Sequence, residues 1–191
     1  MLLVNTELKK EDKNKATCLI FWFIMDKLKK LIKEYIPYIV ILVVILLIKN
    51  YVVSPIIVNG DSMDSTLKNG DVMILNKMYT TEDIKRFDIV VIKYEGRYII
   101  KRIIGMPGDE VKIEDNTLYI NGKIYVQDFL DKDTETENFI MKEVPKDHYF
   151  VLGDNREVSL DSRSFGPVSA EDIKGKAIYT IFPFNRWGTK E

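Results

Sequence analysis

The chain has 191 residues, 46% of them hydrophobic, and a formal net charge of −1 at pH 7, so it can form one folded domain with an anchor but is short for two full domains. Without an excess of basic residues it offers no surface for nucleic-acid phosphates, and that class of partner is not expected. Cys18 is the single cysteine, which excludes an intramolecular disulfide and a cysteine-rich metal site.

The first predicted element is the apolar segment Tyr35–Val53, in which residues 36–48 carry no charge. About 20 mostly apolar residues suffice for a transmembrane helix, and the ammonium of Lys49 can extend to the headgroup region. Four lysines lie just before the segment, at positions 27, 29, 30 and 33. Because positive flanks stay on the cytoplasmic side, the sequence predicts a single-pass anchor with a cytoplasmic N-terminus.

Two other interpretations of this segment are open. A cleaved secretory signal has the same lysine-rich start and apolar core, although no small-x-small cleavage site follows here. A buried helix of a soluble protein is disfavoured by Pro37 and by the many β-branched residues. The anchor is favoured, and three regions are therefore expected: a cytoplasmic lysine-rich segment (1–34), a transmembrane anchor (35–53) and an extracytoplasmic β-rich domain (54–191).

Beyond Ser54 the hydrophobic pattern alternates with a period of two, which is typical of β-strands. The dipeptides Glu95-Gly96 and Asn121-Gly122 favour tight hairpin turns, and the acidic stretch 127–146 is expected to be an exposed excursion or lid. The pattern predicts a mainly β fold, an antiparallel sheet domain preceded by one transmembrane helix. The predicted strands span residues 72–75, 88–94, 97–104, 110–114, 117–120, 123–126, 149–152 and 177–182.

Ser62 is the candidate nucleophile, in a loop about nine residues beyond the predicted membrane exit. An extended linker of that length reaches at most roughly 30 Å, so Ser62 is expected near the lipid surface. A serine hydroxyl needs a neighbouring group that takes its proton before it attacks a carbonyl. Gly60 permits a close approach of substrate, and exposed amides in such a turn can stabilise an oxyanion. A Gly-x-Ser loop is also common as a simple turn.

Lys101 is the candidate base, since isoleucines at positions 99, 100, 103 and 104 leave both faces of its strand apolar. Burial disfavours the ammonium and lowers the pKa of a lysine toward neutrality. Arg102 cannot serve, because a guanidinium does not release its proton in proteins. The single histidine, His148, lies in a polar turn and is expected to be a solvated loop residue. The alternative for Lys101 is an edge-strand lysine that extends to solvent.

The segment Gly153–Arg163 concentrates carboxylates, an amide and hydroxyls. It can bind a hard cation, although its spacing differs from that of a calcium loop. The alternative is a buried polar network in which Ser159 holds the lysine amine and an Asp161–Arg163 pair fixes the loop.

Four ordered segments resemble conserved boxes of the bacterial type I signal peptidases, serine proteases of family S26. Ser62–Leu67 is similar to the Ser-Met-x-Pro-Thr-Leu box, and Arg86–Val91 to the strand box that follows. Ile100–Asp109 is similar to the base box, and Gly153–Arg163 to Gly-Asp-Asn-Arg-x-x-Ser-x-Asp-Ser-Arg. The resemblance covers residues 27–183.

The resemblance implies a membrane-bound serine endopeptidase that cleaves signal peptides from exported preproteins after small-x-small sequences. Ser62 would attack, Lys101 would be the general base, and Ser159 would orient the Lys101 amine. Asp161 and Arg163 would support the site. The family also implies no cofactor or metal, a monomer, and a location in the bacterial cell membrane, with preproteins and the lipid bilayer as partners. Three residues match positions that line the pockets for small side chains before the cut: Ile56, Val58 and Ile100.

The chain departs from the family pattern at two positions. Gly60 stands where Gram-negative relatives have a serine hydroxyl, so the oxyanion would depend more on the backbone amide of Ser62. Ser65 replaces the family proline, which affects the rigidity of the loop. Two other functions are open: a self-cleaving or regulatory Ser/Lys protease, and a non-enzymatic anchored module that binds a partner through residues 127–146.

Overall fold

The computed structural model describes residues 2–189, and the side chains of residues 21–189. The chain divides into two units, Met1–Ile48 and Lys49–Glu191, which are described separately.

The N-terminal unit is one long helix, α1 (Leu2–Leu47), followed by a π-helical turn at Ile48–Val52. Its side chains from residue 21 onward are exposed although most are apolar, a distribution typical of a helix that is surrounded by lipid. By length and composition, Phe21–Val52 can cross a membrane. The helix continues N-terminally of the predicted anchor, because the preceding lysines and leucines are good helix formers.

The second unit consists of two antiparallel sheets. The larger has the strand order β1-β2-β11-β3-β4-β9-β10, and the smaller has the order β7-β6-β5-β8. This architecture confirms the predicted mainly β fold, which follows one apolar N-terminal helix along the chain. The strands are β1 (Val53–Ile57), β2 (Val72–Asn76), β3 (Ile89–Tyr94), β4 (Arg97–Gly105), β5 (Val111–Glu114), β6 (Thr117–Ile120), β7 (Lys123–Tyr125), β8 (Phe139–Met141), β9 (His148–Leu152), β10 (Val168–Ser169) and β11 (Ile173–Phe182), and a short helix, α2, spans Ser162–Phe165.

Three two-residue turns create the hairpins of these sheets. Both residues have positive φ in Glu95-Gly96 (46° and 77°), Asp115-Asn116 (48° and 61°) and Asn121-Gly122 (52° and 75°). Positive φ at both central positions defines the type I′ turn, whose twist matches that of paired strands. The hairpin turns predicted at Glu95-Gly96 and Asn121-Gly122 are thus confirmed.

The sheets meet along the last part of β4. A Cβ atom on Gly105 would lie 2.7 Å from Val111 Cγ2 and 3.0 Å from Phe150 Cβ, so only glycine permits this approach. On one side of β4, Ile104 packs with residues of the smaller sheet, and on the other Ile103 packs against β3 and β9. A third cluster lies beneath the loop after β1 and contains Val58, Met63, Leu67, Met73, Ile89 and Ala177.

Three strands were not predicted: β1, β8 and β10. Val53 had been assigned to the anchor, and Pro55 interrupts the strand pattern, although proline is tolerated here because β1 is an edge strand. The expectation of an exposed excursion at 127–146 was partly wrong. Phe139–Met141 pairs with β5, and Val144 is fully buried.

Candidate active site

The loop that carries Ser62 is held from below by two buried side chains. Met63 is 1% exposed and Leu67 is fully buried, and the N–H of Leu67 donates to the carbonyl of Met63 at 2.8 Å. The carbonyl of Ser62 accepts a hydrogen bond of 3.1 Å from the N–H of Asn155. The position of Ser62 is therefore set by the core beneath it and by the 153–163 segment beside it.

Gly60 adopts a φ of 94°, a conformation that suits glycine. Its N–H donates to Asn69 Oδ1 at 3.2 Å and is engaged within the loop. Within the part of the chain that the structure describes, the N–H of Ser62 donates to no other group. This N–H can therefore donate a hydrogen bond to a bound ligand.

Ser62 and Lys101 line one cleft, together with Asn155, Val158 and Leu160. We call it the active-site cleft. Lys101 is 2% exposed, which excludes the alternative of an edge lysine extended into solvent. The two groups share this cleft, and among the described side chains no hydrogen bond joins Lys101 Nζ to Ser62 Oγ.

Burial lowers the pKa of Lys101 from 10.5 to about 8. Asp161 and Asp154 oppose this effect, because a nearby negative charge favours the ammonium, while Arg163 adds to it. A lysine with this pKa has a substantial neutral fraction in weakly alkaline solution and can then accept a proton.

Ser159 does not line the active-site cleft but borders another cavity, which Arg156 and Arg163 also line. Its Oγ is buried without a hydrogen-bond partner among the described residues, and a buried hydroxyl without a partner is costly. Its N–H donates to the carbonyl of Asn155 at 3.1 Å. A Cβ atom on Gly153 would lie within 3.0 Å of both Ser159 Oγ and the carbonyl oxygen of Ser62. The bare Gly153 backbone therefore fits between these two serines.

Asp161 and Arg163 form a bidentate pair. Arg163 Nε donates to Asp161 Oδ1 at 2.9 Å and Arg163 Nη2 donates to Oδ2 at 2.9 Å. Asp161 is fully buried, caps α2, and also accepts from the N–H of Gly153 at 3.1 Å. The pair thus closes the 153–163 segment on itself, as one part of the polar-network interpretation expected. The other part, a hydrogen bond between Ser159 Oγ and the Lys101 amine, is not found among the described residues.

Two carboxylates that a metal site in this segment would use are already paired with arginines. Arg163 engages Asp161, and Arg102 engages both oxygens of Asp154. Among residues 21–189, no group of three or more His, Cys, Asp or Glu side chains is arranged to hold a metal ion.

Arg102 has a role that the sequence did not reveal. It is fully buried, and its guanidinium donates to Asp154 Oδ1 and Oδ2 at 2.9 and 2.6 Å, to the carbonyl of Phe87 at 2.9 Å and to Thr66 Oγ1 at 3.2 Å. The ring of Phe129 lies 4.0 Å from its guanidinium carbon. Arg102 therefore ties β4 to the Ser62 loop and to the 153–163 segment. The sequence offered one signal for this role. The Gly153–Arg163 segment contains the carboxylate of Asp154, which can pair with an arginine beside the candidate base.

A second cavity of about 690 Å³ opens on the other side of Ser62. It runs across one face of the larger sheet, and we call it the apolar groove. Ile56, Val58 and Ile100, the three residues matched to substrate pockets, all line it. It therefore joins the candidate nucleophile to these apolar side chains.

Comparison with known proteins identifies the family of the chain. The family model described as "Signal peptidase, peptidase S26" matches residues 31–182. A signal peptidase I of Bacillus amyloliquefaciens is 38% identical over 169 residues, covering 82% of this chain and 91% of the relative. Signal peptidase IB of Staphylococcus aureus is 34% identical over 178 residues, covering 83% and 93%. A solved signal peptidase I from Enterococcus faecalis V583 is 37% identical, covers 49% of this chain and 95% of its own, and has a TM-score of 0.45.

The family match extends over most of the chain, and the relatives are covered nearly in full. It includes both the Ser62 loop and the strand of Lys101. The chain therefore belongs to the S26 family of signal peptidases.

Proposed function

We propose that the chain is a membrane-anchored serine endopeptidase that removes signal peptides from exported preproteins, with Ser62 as nucleophile and Lys101 as general base. The observation that carries this proposal is the buried Lys101 in the same cleft as Ser62. The names of the family and of its relatives support the substrate class.

In the proposed reaction, neutral Lys101 takes the proton of Ser62 Oγ while this oxygen attacks the scissile carbonyl. The protonated lysine then gives the proton to the leaving amine, and water hydrolyses the acyl-enzyme with the same base. Catalytic hydrogen bonds often tighten only in the substrate complex, so we expect side-chain rotation within the cleft to bring the two groups together. The oxyanion is stabilised by the N–H of Ser62, which has no other acceptor among the described residues.

The apolar groove supports cleavage after small-x-small sequences. In an extended peptide, alternate side chains point to the same face, so the first and third residues before the cut face the groove and the second faces away. Ile56, Val58 and Ile100 line the groove with branched apolar side chains, and we expect these to favour small apolar groups. The pattern of two small residues separated by one free position then follows from strand geometry.

The apolar helix supports a location in the bacterial cell membrane. Phe21–Val52 is long enough to span the hydrocarbon core, and the lysines at 27–33 favour a cytoplasmic N-terminus. Ser62 follows this span after about ten residues, which keeps the reaction near the outer lipid surface. A monomer suffices for this arrangement, because one chain supplies both reacting groups.

The test uses the full-length chain in detergent and a preprotein with an Ala-x-Ala cleavage site. We expect Ser62→Ala and Lys101→Ala each to lower kcat by at least about 1000-fold with unchanged circular dichroism. Two matched variants of exposed residues, Ser164→Ala and Lys123→Ala, should retain wild-type turnover. Normal cleavage by either cleft variant would reject the Ser/Lys mechanism. An enzyme that cuts itself but no supplied preprotein would favour the self-cleaving alternative.

A further inference from the structure

The apolar groove is longer than two small side chains require. It extends from Ser62 past Val58 and Ile56 to Ser54 at the beginning of β1. A strand rises about 3.3 Å per residue, so the five residues from Ser54 to Val58, with four steps between them, span roughly 13 Å. A peptide that follows β1 therefore remains in the groove for about five residues before the cut.

Two lysines, Lys77 and Lys174, line the groove, and its lining residues include no Asp or Glu. Lys77 lies level with the start of β1, since its N–H donates to the carbonyl of Val52 at 2.9 Å. Lys174 lies on β11, next to Gly175, and a Cβ atom on Gly175 would lie 2.5 Å from the carbonyl oxygen of Asn76, the residue before Lys77. Both lysines therefore lie on the part of the groove away from the nucleophile.

The charge of these lysines is not neutralised within the described structure. Lys77 Nζ donates to the carbonyl of Asn50 at 3.4 Å, and Lys174 Nζ donates to the carbonyl of Glu171 at 2.6 Å. Neither ammonium has a carboxylate within 4.0 Å among residues 21–189. A groove with walls of low polarity and two cations favours bound negative charge.

We infer that Lys77 and Lys174 make the enzyme select substrates by charge about five residues before the cut, favouring an acidic side chain there and disfavouring a basic one. This inference rests on the proposed function, since it requires the signal peptide to occupy the groove. A peptide is favoured over a lipid phosphate as the partner because the groove containing the lysines is continuous with Ser62. The contact is solvent-exposed, so its effect is moderate, about three- to tenfold in kcat/KM.

The experiment compares peptides that share one Ala-x-Ala cleavage site and carry Glu, Gln or Lys at the fifth position before the cut. The full-length chain is assayed in neutral detergent at low salt. We expect the Glu peptide to be cleaved at least about threefold more efficiently than the Lys peptide, mainly through KM. The difference should shrink at about 0.5 M salt, where the Debye length falls to a few ångströms.

The double variant Lys77→Glu/Lys174→Glu should invert this order, with the Gln peptide as the reference for each enzyme. Lys123→Glu, an exposed lysine on β7 of the smaller sheet, should keep the wild-type order. Peptides with the same charges at the third position after the cut should show no dependence on the two lysines. If the double variant does not fold, the single variants Lys77→Gln and Lys174→Gln should each reduce the preference.

An unchanged charge preference in the folded lysine variants would overturn the inference, as would equal sensitivity on both sides of the cut. Variants that change only the response to vesicles with anionic lipid would assign the lysines to headgroups and would also overturn it. If the wild-type chain cleaves none of the peptides, the proposed function fails instead, and the two failures are distinguishable.

Discussion

The backbone of Ser62 lies so close to Gly153 that it limits the residue type at position 153. A Cβ atom on Gly153 would lie within 3.0 Å of the Ser62 carbonyl oxygen. The same atom would also lie within 3.0 Å of Ser159 Oγ. A side chain at position 153 must therefore displace both the candidate nucleophile and its neighbouring hydroxyl.

We expect Gly153→Ala to lower kcat by at least about 100-fold, because a shift of about 1 Å at a reacting group has an effect of this size. Gly105→Ala is the matched control, since its Cβ would also meet neighbours, 2.7 Å from Val111 Cγ2, but within the core. It should lower the melting temperature and leave the kcat of the folded enzyme largely intact. Similar kcat values for the two variants would contradict a positioning role for Gly153.

The pKa of Lys101 predicts a pH dependence of cleavage. With a pKa of about 8, roughly a tenth of the lysine is neutral at pH 7 and about nine tenths at pH 9. kcat/KM should therefore rise about tenfold between these values, with a midpoint near 8. Stopped assays with a peptide substrate would measure this limb, and Lys101→Arg should remove activity at every pH. A flat profile between pH 7 and 9 would exclude Lys101 as the base.

Lys101→Met should make the protein inactive and more stable. Below pH 8 the ammonium is charged in both states, and lowering its pKa from 10.5 to about 8 corresponds to a cost of roughly 3 kcal/mol in the folded state. Methionine fills a similar volume without charge, so urea unfolding at pH 7 should give a gain of about 1–3 kcal/mol. Between pH 8 and 10.5 the unfolded wild type binds more protons than the folded wild type, so the free energy of unfolding of the wild type rises with pH. The stability gain of Lys101→Met should therefore vanish over this range. A destabilised variant at pH 7 would contradict this account.

Ser65→Pro, which restores the residue of the family box, should destabilise this chain. Ser65 has a φ of 87°, whereas proline requires a φ near −65°. Proline also removes the N–H that donates to Asp64 Oδ1 at 2.8 Å and the hydroxyl that donates to the carbonyl of Phe129 at 3.2 Å. We expect a loss of about 2–3 kcal/mol in thermal or urea unfolding, with lower activity because the loop carries Ser62.

Ser65→Gly is the control for this change, because glycine adopts a positive φ without strain. It should remain within about 1 kcal/mol of the wild type. Full stability of the proline variant would show that the loop accepts a second conformation.

Asp154→Ala should be among the most destabilising single changes in the domain. It leaves the fully buried Arg102 guanidinium without its carboxylate, a loss of about 3–5 kcal/mol. Arg102→Met combined with Asp154→Leu removes both charges and should be less destabilised than Asp154→Ala alone. Urea unfolding of the single variants Arg102→Met and Asp154→Leu and of their double variant measures the coupling. If the losses in free energy of unfolding of the single variants add up to that of the double variant, the ion pair contributes little to stability.

Local features of the sequence predicted much of the sheet. The turn at Asn121-Gly122 is visible in two residues, because few residue pairs adopt positive φ twice in succession. Alternation of apolar residues then identified β5 and β6 on either side of Asp115-Asn116. The isoleucine neighbours of Lys101 indicated its burial, although a lysine extended to solvent from an edge strand remained an alternative until the structure showed it to be 2% exposed.

Features that depend on distant contacts could not be predicted in this way. Arg102 is adjacent to Lys101 in sequence, yet its role depends on Thr66, Phe87 and Asp154, which reach it only through the fold. Strand β1 was missed because an edge strand with a proline has no clear period. Whether Lys101 Nζ and Ser62 Oγ form a hydrogen bond depends on side-chain rotamers, which residue types do not specify.

The partners of Arg102 are 15, 36 and 52 residues away along the chain. The guanidinium gains its acceptors only after strands from both halves of the domain have come together, so this junction forms late in folding. If the proposed function holds, a partly unfolded chain that lacks this junction should not yet have an ordered Ser62 loop, and we expect it to be inactive.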